Sequence, residues 1–269
     1  MMLRLAALTE WLLGFDAFCL GKKFLVYNLV DRNLKVKYRR SFLGFFWTIL
    51  NPLAMSAIYY FVFKVVMRVE KPHYLPFLLC GVLPWSFFAQ SMGESTESIV
   101  ANQGLITKIP IPIHVFPYVV TLTNFSTLLF AVPVIFGLSF LSGVAPSFDM
   151  LWVFYFFAAL LFLSYAFGTI LAIFYVYLRD LKHAIGLLLQ IWLYATPIIY
   201  DSSMIPEKYK WVLLINPVGS IFEGIHESML GSKGNILMHA LFSFIWCLIA
   251  LLVLRITYSK LKSELVERL

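Results

Sequence analysis

The sequence predicts an all-α integral membrane protein with six transmembrane helices in each subunit. Hydrophobic residues make up 61% of the 269 residues and charged residues only 13%, which leaves too little polar surface for a water-soluble globule. The charged residues are also clustered, and six stretches of about 18 residues or more contain none of them. Because a charged side chain at a helix centre costs roughly 2.5–3.5 kcal/mol on insertion, each stretch predicts one span.

The predicted spans cover about 43–64, 74–93, 117–141, 150–178, 183–200 and 235–257, and the whole chain, 1–269, is predicted to be one transmembrane domain. The stretch before residue 148 is long enough for two helices. Pro110, Pro112 and Pro117 lie in its first turns, however, so only one span is predicted there.

The distribution of basic residues predicts the orientation. Six spans put both termini on the same side of the membrane, and 15 of the 21 Lys and Arg residues fall on that side. Cytoplasmic loops carry an excess of Lys and Arg, so we expect both termini to be cytoplasmic.

Residues 22–40 are predicted to form an amphipathic helix in the cytoplasmic interface. An apolar stripe holds Tyr27, Val30, Leu34 and Tyr38, and the opposite stripe holds Asn28, Asp31, Arg32, Lys35 and Arg39. The basic side chains would attract anionic membrane lipids at about 1 kcal/mol each. Positive-inside anchoring alone explains the same pattern, so both interpretations stay open.

Two connecting segments are longer than a simple turn. Residues 95–112 are predicted to form a cytoplasmic loop with a short apolar helix, which fits a docking surface for a soluble partner or an irregular loop packed on the chain's own helices. Residues 201–229 are predicted to form an outer re-entrant segment, because their apolar stretch of 12 residues is too short to cross the bilayer. Asn216-Pro217 would divide it into two short helices.

Motifs for catalysis are not found in the sequence. It contains no phosphate-binding loop, so the chain is not expected to hydrolyse ATP alone, and no nucleophile elbow or paired-histidine zinc motif. Glu223, His226 and Glu227 share a helix face, but one such turn lacks a second set of ligands, so no metal is expected. The basic excess of +7 is too small for a nucleic-acid-binding surface on a chain of this size.

The predicted spans carry aromatic residues in place of charges. The absence of charged residues at the span centres argues against ion coupling. Aromatic side chains could line a path for sugar rings, or they could pack and anchor the helices at the membrane interface. The candidates for the path are Phe46, Trp47, Tyr59, Tyr60, Trp85, Trp192 and Tyr194.

Several motifs in series resemble one transporter family, the type-2 ABC export permeases. They are the run from Asp31 to Gly44 with Trp47 and Leu50-Asn51-Pro52, then Gly81 to Trp85, Asn102 to Lys108, Arg179-Asp180-Leu181, Pro197 to Tyr200, and Asn216-Pro217. The resemblance covers essentially the whole chain. Within the class, the sequence is most similar to permeases that export lipid-linked polysaccharides such as O antigen, capsule or teichoic acid.

The resemblance implies a bacterial inner-membrane homodimer that works with two copies of a separate ABC ATPase subunit. ATP and Mg²⁺ would bind to that partner, and this chain would bind no cofactor. The amphipathic helix and the 95–112 loop would be the coupling elements that contact the ATPase, with Asn102, Leu105, Ile106 and Lys108 as the candidate residues.

The resemblance also implies an entrance for a lipid diphosphate headgroup beside Leu43 and Gly44, where Lys37, Arg39 and Arg40 would pair with phosphate oxygens. The expected substrate is a lipid-diphosphate-linked polysaccharide, with O antigen preferred. Capsule, teichoic acid, a drug or a small lipid are the alternatives within the class. A membrane-embedded enzyme or scaffold is the alternative outside it.

Overall fold

A computed structural model describes residues 23–39, 44–108, 111–209, 211–231 and 234–268, and the regular elements in these ranges are all helical. They are α1 (Lys23–Tyr38), α2 (Trp47–Tyr60), α3 (Tyr74–Ala101), α4 (Gln103–Ile106), α5 (Val115–Leu141), α6 (Trp152–Tyr177), α7 (Leu181–Ala195), α8 (Trp211–Ile215), α9 (Gly219–Leu230) and α10 (Ile236–Arg268). A π-helical turn, Phe61–Val66, extends α2, and short 3-10 turns precede α2, α6 and α8.

Five of the described helices are long and apolar enough to cross a membrane, which confirms the all-α membrane character. The helices α3 and α6 form the centre of the bundle. In the most apolar 18-residue stretch of each helix, 78% of the residues of α3 and 67% of those of α6 are buried. The same measure is 11% for α2 with its π turn and 17% for α10. The apolar surfaces of α2 and α10 are therefore left for lipid or for another chain.

The helix at the fifth predicted span is shorter than expected. It ends at Ala195, not at residue 200, and its 15 residues reach about 22 Å, short of the roughly 30 Å hydrocarbon core. Thr196 adopts an extended conformation because the following residue, Pro197, disfavours helical backbone before it. The described part of the chain therefore has five long helices and one short apolar helix instead of six full-length ones.

The segment after α7 is non-helical and buried, and neighbouring side chains bind its backbone and hydroxyl groups. The Tyr74 hydroxyl donates to the backbone oxygen of Ile199 at 2.7 Å, and the Asn216 amide donates to Oγ1 of Thr196 at 2.8 Å. Non-helical backbone at membrane depth is tolerated only where protein or water satisfies it. These contacts provide such partners.

Two helices extend past the ends of the predicted spans. The helix α3 continues from residue 93 to Ala101, so the first part of the predicted 95–112 loop is helical, and α10 continues from residue 257 to Arg268. The first charged residue marks the edge of an apolar stretch. A helix can continue into water beyond that edge as long as its backbone hydrogen bonds continue. These two helices are therefore longer than the apolar stretches they contain.

The buried stripe of α1 differs from the predicted one. Tyr27 is 68% exposed, whereas Val26 and Leu29 are buried against the start of α5. The helix is therefore rotated by about one residue from the predicted stripe, roughly 100°. The rotation places Lys37 toward the bundle, because it lies eleven residues, about three turns, after the buried Val26 and so on the same face.

Candidate functional site

A polar junction joins α1, α3 and α5 at one end of the bundle. The Lys37 ammonium donates to Oε1 of Glu94 at 2.9 Å and to Oδ1 of Asn124 at 2.8 Å, and the Asn124 amide donates to Oε2 of Glu94 at 2.9 Å. Asn124 is fully buried, and the Lys37 side chain is only 21% exposed. Each of the three side chains therefore binds the other two, and the charge of Lys37 is compensated by Glu94.

Two clefts border this junction. The larger, of about 540 Å³, lies between α2 and α3, and its wall combines apolar and hydrogen-bonding side chains: Lys37, Gly44, Trp47, Thr48, Asn51, Pro52, Met55, Ser86, Ala89 and Gln90. The smaller, of about 230 Å³, lies between α1, α3 and α5 and is lined by Asn33, Val36, Lys37, Glu94, Val120 and Thr123. Hydroxyl and amide groups of this kind can bind sugar hydroxyls or phosphate oxygens.

Two of the predicted headgroup residues line the same cleft, and a third is not among its lining residues. Lys37 and Gly44 line the same larger cleft. Arg39 is exposed at the end of α1, where its side chain has no carboxylate partner among the described residues. Arg40 and Leu43 lie outside the described residues.

The predicted coupling residues lie on the same end of the bundle as the polar junction. Leu105 and Ile106 of α4 pack on an apolar cluster formed by α1 and the start of α5, whose members are Val26, Leu29, Ile111, Val115, Phe116 and Val119. The Asn102 amide donates to the backbone oxygen of Ser98 at 2.8 Å, and Lys108 is exposed. The amphipathic helix and the short helix α4 therefore form one continuous surface.

The aromatic residues predicted to line a path fall into different environments. Phe46 and Trp47 are exposed at the start of α2, and Trp47 lines the larger cleft. Tyr59 and Tyr60 are half-buried, and the Tyr59 side chain interacts with that of Tyr194, which is 59% exposed. These five side chains are accessible to a passing molecule in this conformation.

The two remaining aromatic residues make contacts between helices in this conformation, and Trp192 also lines an apolar cleft of about 520 Å³ beside α3, α6 and α7. Trp85 is 6% exposed and lies between the rings of Phe88 and Phe222, so it lines no open path. The Trp192 indole N–H donates to Oδ1 of Asn216 at 2.8 Å, which attaches α7 to the junction of α8 and α9. Asn216-Pro217 predicted a break between helices. The sequence did not indicate that Trp192 would be the hydrogen-bond partner of Asn216.

The opposite end of the bundle carries a second polar region. Lys71, which follows α2, forms an ion pair with Asp201, which follows α7. Burial raises the pKa of the Glu223 carboxyl to about 7, although the Ser202 hydroxyl donates to its Oε2 at 3.1 Å.

The predicted grouping of His226 with Glu223 and Glu227 differs from the structure. The His226 ring stacks on Phe77 with 4.0 Å between centroids, and its Nε2 lies 3.1 Å from the backbone oxygen of Phe77. Burial lowers the pKa of His226 to about 3, so this ring is neutral. His239 of α10 lies beside Glu227 instead, a contact that the sequence did not indicate.

Comparison with known proteins identifies the family. Residues 25–230 match the profile of the ABC-2 type transporter family. Two O-antigen export system permease proteins RfbA from Klebsiella pneumoniae are 35% and 32% identical to this chain, over 78% and 90% of it and over 82% and 94% of their own lengths. The polysialic acid transport protein KpsM of Escherichia coli is 25% identical over 81% of this chain and 84% of its own. The helical membrane bundle and the extent of these matches agree, and the chain belongs to the ABC-2 type transporter family as a membrane permease.

Proposed function

We propose that this chain is the permease subunit of an ATP-driven exporter that moves lipid-diphosphate-linked O antigen from the cytoplasmic to the outer side of the bacterial inner membrane. The observation that carries the proposal is the similarity to O-antigen export permeases over 78–90% of the chain. The mixed polar and apolar cleft between α2 and α3 supports it, because a glycan attached to a lipid needs both kinds of surface.

The exporter is proposed to be a homodimer with two copies of a separate ABC ATPase. ATP and Mg²⁺ bind to the ATPase, and this chain binds no cofactor for transport. The exposed apolar face of α2 supports a second copy as neighbour, since Leu50, Met55, Ile58 and Phe61 are each 44–58% exposed. Both termini are proposed to be cytoplasmic, which puts the polar junction on the ATPase side.

Coupling is proposed to run through α1 and α4. Because Leu105 and Ile106 pack on the cluster that also holds Val26 and Leu29, a push on α4 would move α1 with it. The helix α1 is in turn attached to α3 and α5 through Lys37. An ATPase that closes against this end would thereby change the width of both clefts.

The diphosphate is proposed to bind first to Arg39 and Arg40, with the lipid entering beside Leu43 and Gly44. Arginine suits this role because its planar guanidinium binds phosphate oxygens with two parallel hydrogen bonds. Lys37 already forms an ion pair with Glu94. It is therefore proposed to bind the diphosphate only after this ion pair opens.

Capsule export is the second candidate, and the similarity to the polysialic acid transport protein favours it. Its identity of 25% is below the 32–35% of the O-antigen permeases, so it ranks second. Teichoic acid, a drug or a small lipid remain further alternatives of the same transport class.

Deletion of the gene tests the proposed substrate. We expect complete O-antigen chains on their lipid carrier to accumulate inside the cell, with loss of O antigen from the surface. Restoration by the wild-type chain is the control. Unchanged surface O antigen with loss of another polymer would reject O antigen in favour of that polymer.

Paired substitutions test the headgroup role. We expect Arg39→Ala with Arg40→Ala to lower export and substrate-stimulated ATP hydrolysis at least tenfold, because charge-assisted hydrogen bonds contribute about 1.5–3 kcal/mol each. Arg32→Ala with Lys35→Ala is the matched control, since it also removes two positive charges, from exposed positions on α1. Equal export by both pairs, at equal protein levels, would contradict the role.

A further inference from the structure

Three side chains that can bind a metal ion converge at the end of the bundle opposite the polar junction. Glu223 and Glu227 lie one turn apart on α9, and His239 lies in the first turn of α10. One ligand atom from each lies within 4.8 Å of the others, and Nε2 of His239 is 3.2 Å from Oε1 of Glu227. We call Glu223, Glu227 and His239 the outer cluster.

The outer cluster has one buried and two partly buried members, and two of its polar atoms have no hydrogen-bond partner among the described residues. Glu227 is 7% exposed, yet its Oε2 has no hydrogen-bond partner among the described residues, and neither does Nδ1 of His239. A buried carboxylate is costly unless its charge and its oxygens are paired. The unpaired Oε2 next to a second carboxylate therefore points to a bound cation.

The turn before α10 passes close to the Glu227 carboxylate. A Cβ on Gly234, at the turn before α10, would collide with that carboxylate. The glycine thus lets the chain pass directly over the acid and brings the start of α10, with His239, toward α9. The three groups come from two helices, so a bound ion would join them.

The ligand types indicate which ion fits. Ca²⁺ and Mg²⁺ prefer oxygen ligands alone, whereas an imidazole with two carboxylates suits Zn²⁺ or a similar first-row ion. Ligand atoms about 2.0–2.1 Å from a tetrahedral Zn²⁺ are separated by about 3.4 Å. The contact between Glu227 and His239 is close to this value. A different rotamer of Glu223 would bring its carboxylate from within 4.8 Å to the same separation.

We propose that Glu223, Glu227 and His239 bind one divalent transition-metal ion of the Zn²⁺ type. The ion joins α9 to α10 at this end of the permease and is independent of the transported substrate. Three protein ligands leave one coordination position for water. Its role is to hold the short helix α9 against the last long helix.

Metal titration of the purified full-length chain in lipid nanodiscs tests the proposal. The chain should carry an affinity tag without histidine. We expect one Zn²⁺ per chain by elemental analysis after dialysis, a raised unfolding temperature with Zn²⁺, and no such shift with Mg²⁺. Failure to retain Zn²⁺ at a ratio near one would overturn the proposal and would mean that a proton compensates the two carboxylates.

Isosteric variants assign the ligands. We expect Glu227→Gln and His239→Asn each to weaken Zn²⁺ binding tenfold or more, whereas Glu207→Gln, at an exposed glutamate before α8, should bind as the wild type does. His239→Cys should retain the site and shift its preference toward Cd²⁺, because a thiolate favours softer ions. This variant distinguishes a lost ligand from a misfolded chain. Unchanged Zn²⁺ affinity in both Glu227→Gln and His239→Asn would overturn the assignment.

Discussion

A Gly81→Ala substitution tests how closely α3 packs against the non-helical segment after α7. A Cβ on Gly81 would lie 2.7 Å from the backbone oxygen of Ile198 and 2.9 Å from its Cγ2, whereas ordinary contact begins at 3.4 Å. The two segments would have to separate by about 0.7 Å to reach that contact distance.

The segment cannot move away without cost, because it is held on both sides of Ile198. Tyr74 binds the backbone oxygen of Ile199, and Asn216 binds Thr196. Overpacking of a buried site costs about 1–3 kcal/mol, and each hydrogen bond that breaks adds roughly 0.5–1.5 kcal/mol. Alanine in a helix recovers up to about 1 kcal/mol relative to glycine. We expect a net loss of about 1–3 kcal/mol.

Thermal unfolding of the purified chain in detergent measures this loss. Gly93→Ala is the matched control, because Gly93 lies on the same helix and a Cβ there meets no atom within 4 Å. We expect the control to unfold at or slightly above the wild-type temperature and Gly81→Ala to unfold clearly below it. Equal unfolding temperatures for the two variants would refute the close-packing argument.

Three further predictions concern separate parts of the bundle. Asn216→Ala should lower stability by about 1–3 kcal/mol in the same unfolding assay, because it leaves the Trp192 N–H without its acceptor; wild-type stability would contradict this. Burial by itself would raise the pKa of Asp201, but hydrogen bonds from Lys71 and from a backbone N–H together lower it from 3.8 to about 2. The ion pair should therefore stabilise the fold above about pH 4 and lose this effect as the pH falls toward 2, and Lys71→Met should flatten that pH dependence of the unfolding temperature. Cys80, which is fully buried, should react with a maleimide only after denaturation, and peptide mass spectrometry of the native chain would reveal any earlier labelling.

The spacing of charges locates apolar stretches, and the helix ends differ from the predicted ones where they depend on other interactions. Pro197 ends α7 early, and its effect on the preceding residue was readable in the sequence. The continuation of α3 past Glu94 was not readable in the sequence. It depends on the position of Glu94 at the end of the bundle, where Lys37 of α1 forms an ion pair with it. A charge marks the edge of an apolar stretch and does not by itself end a helix.

The candidate site was only partly predictable. The motifs around Lys37 and Gly44 selected two residues that line one cleft. The pairing of Lys37 with Glu94 joins residues 57 positions apart, and that of Trp192 with Asn216 joins residues 24 apart. No local periodicity encodes such distances, because they depend on how the helices are rotated and stacked.

The sequence by itself determined that this chain is a helical membrane protein, where its apolar helices lie and to which family it belongs. These properties follow from the free energy of transferring each residue into lipid and from motifs that are contiguous in the chain. Only the tertiary structure decided that α1 turns Val26 and Leu29 inward and that His239 joins Glu227. Those outcomes depend on packing between helices distant in sequence, where one rotation of about 100° exchanges an exposed side chain for a buried one.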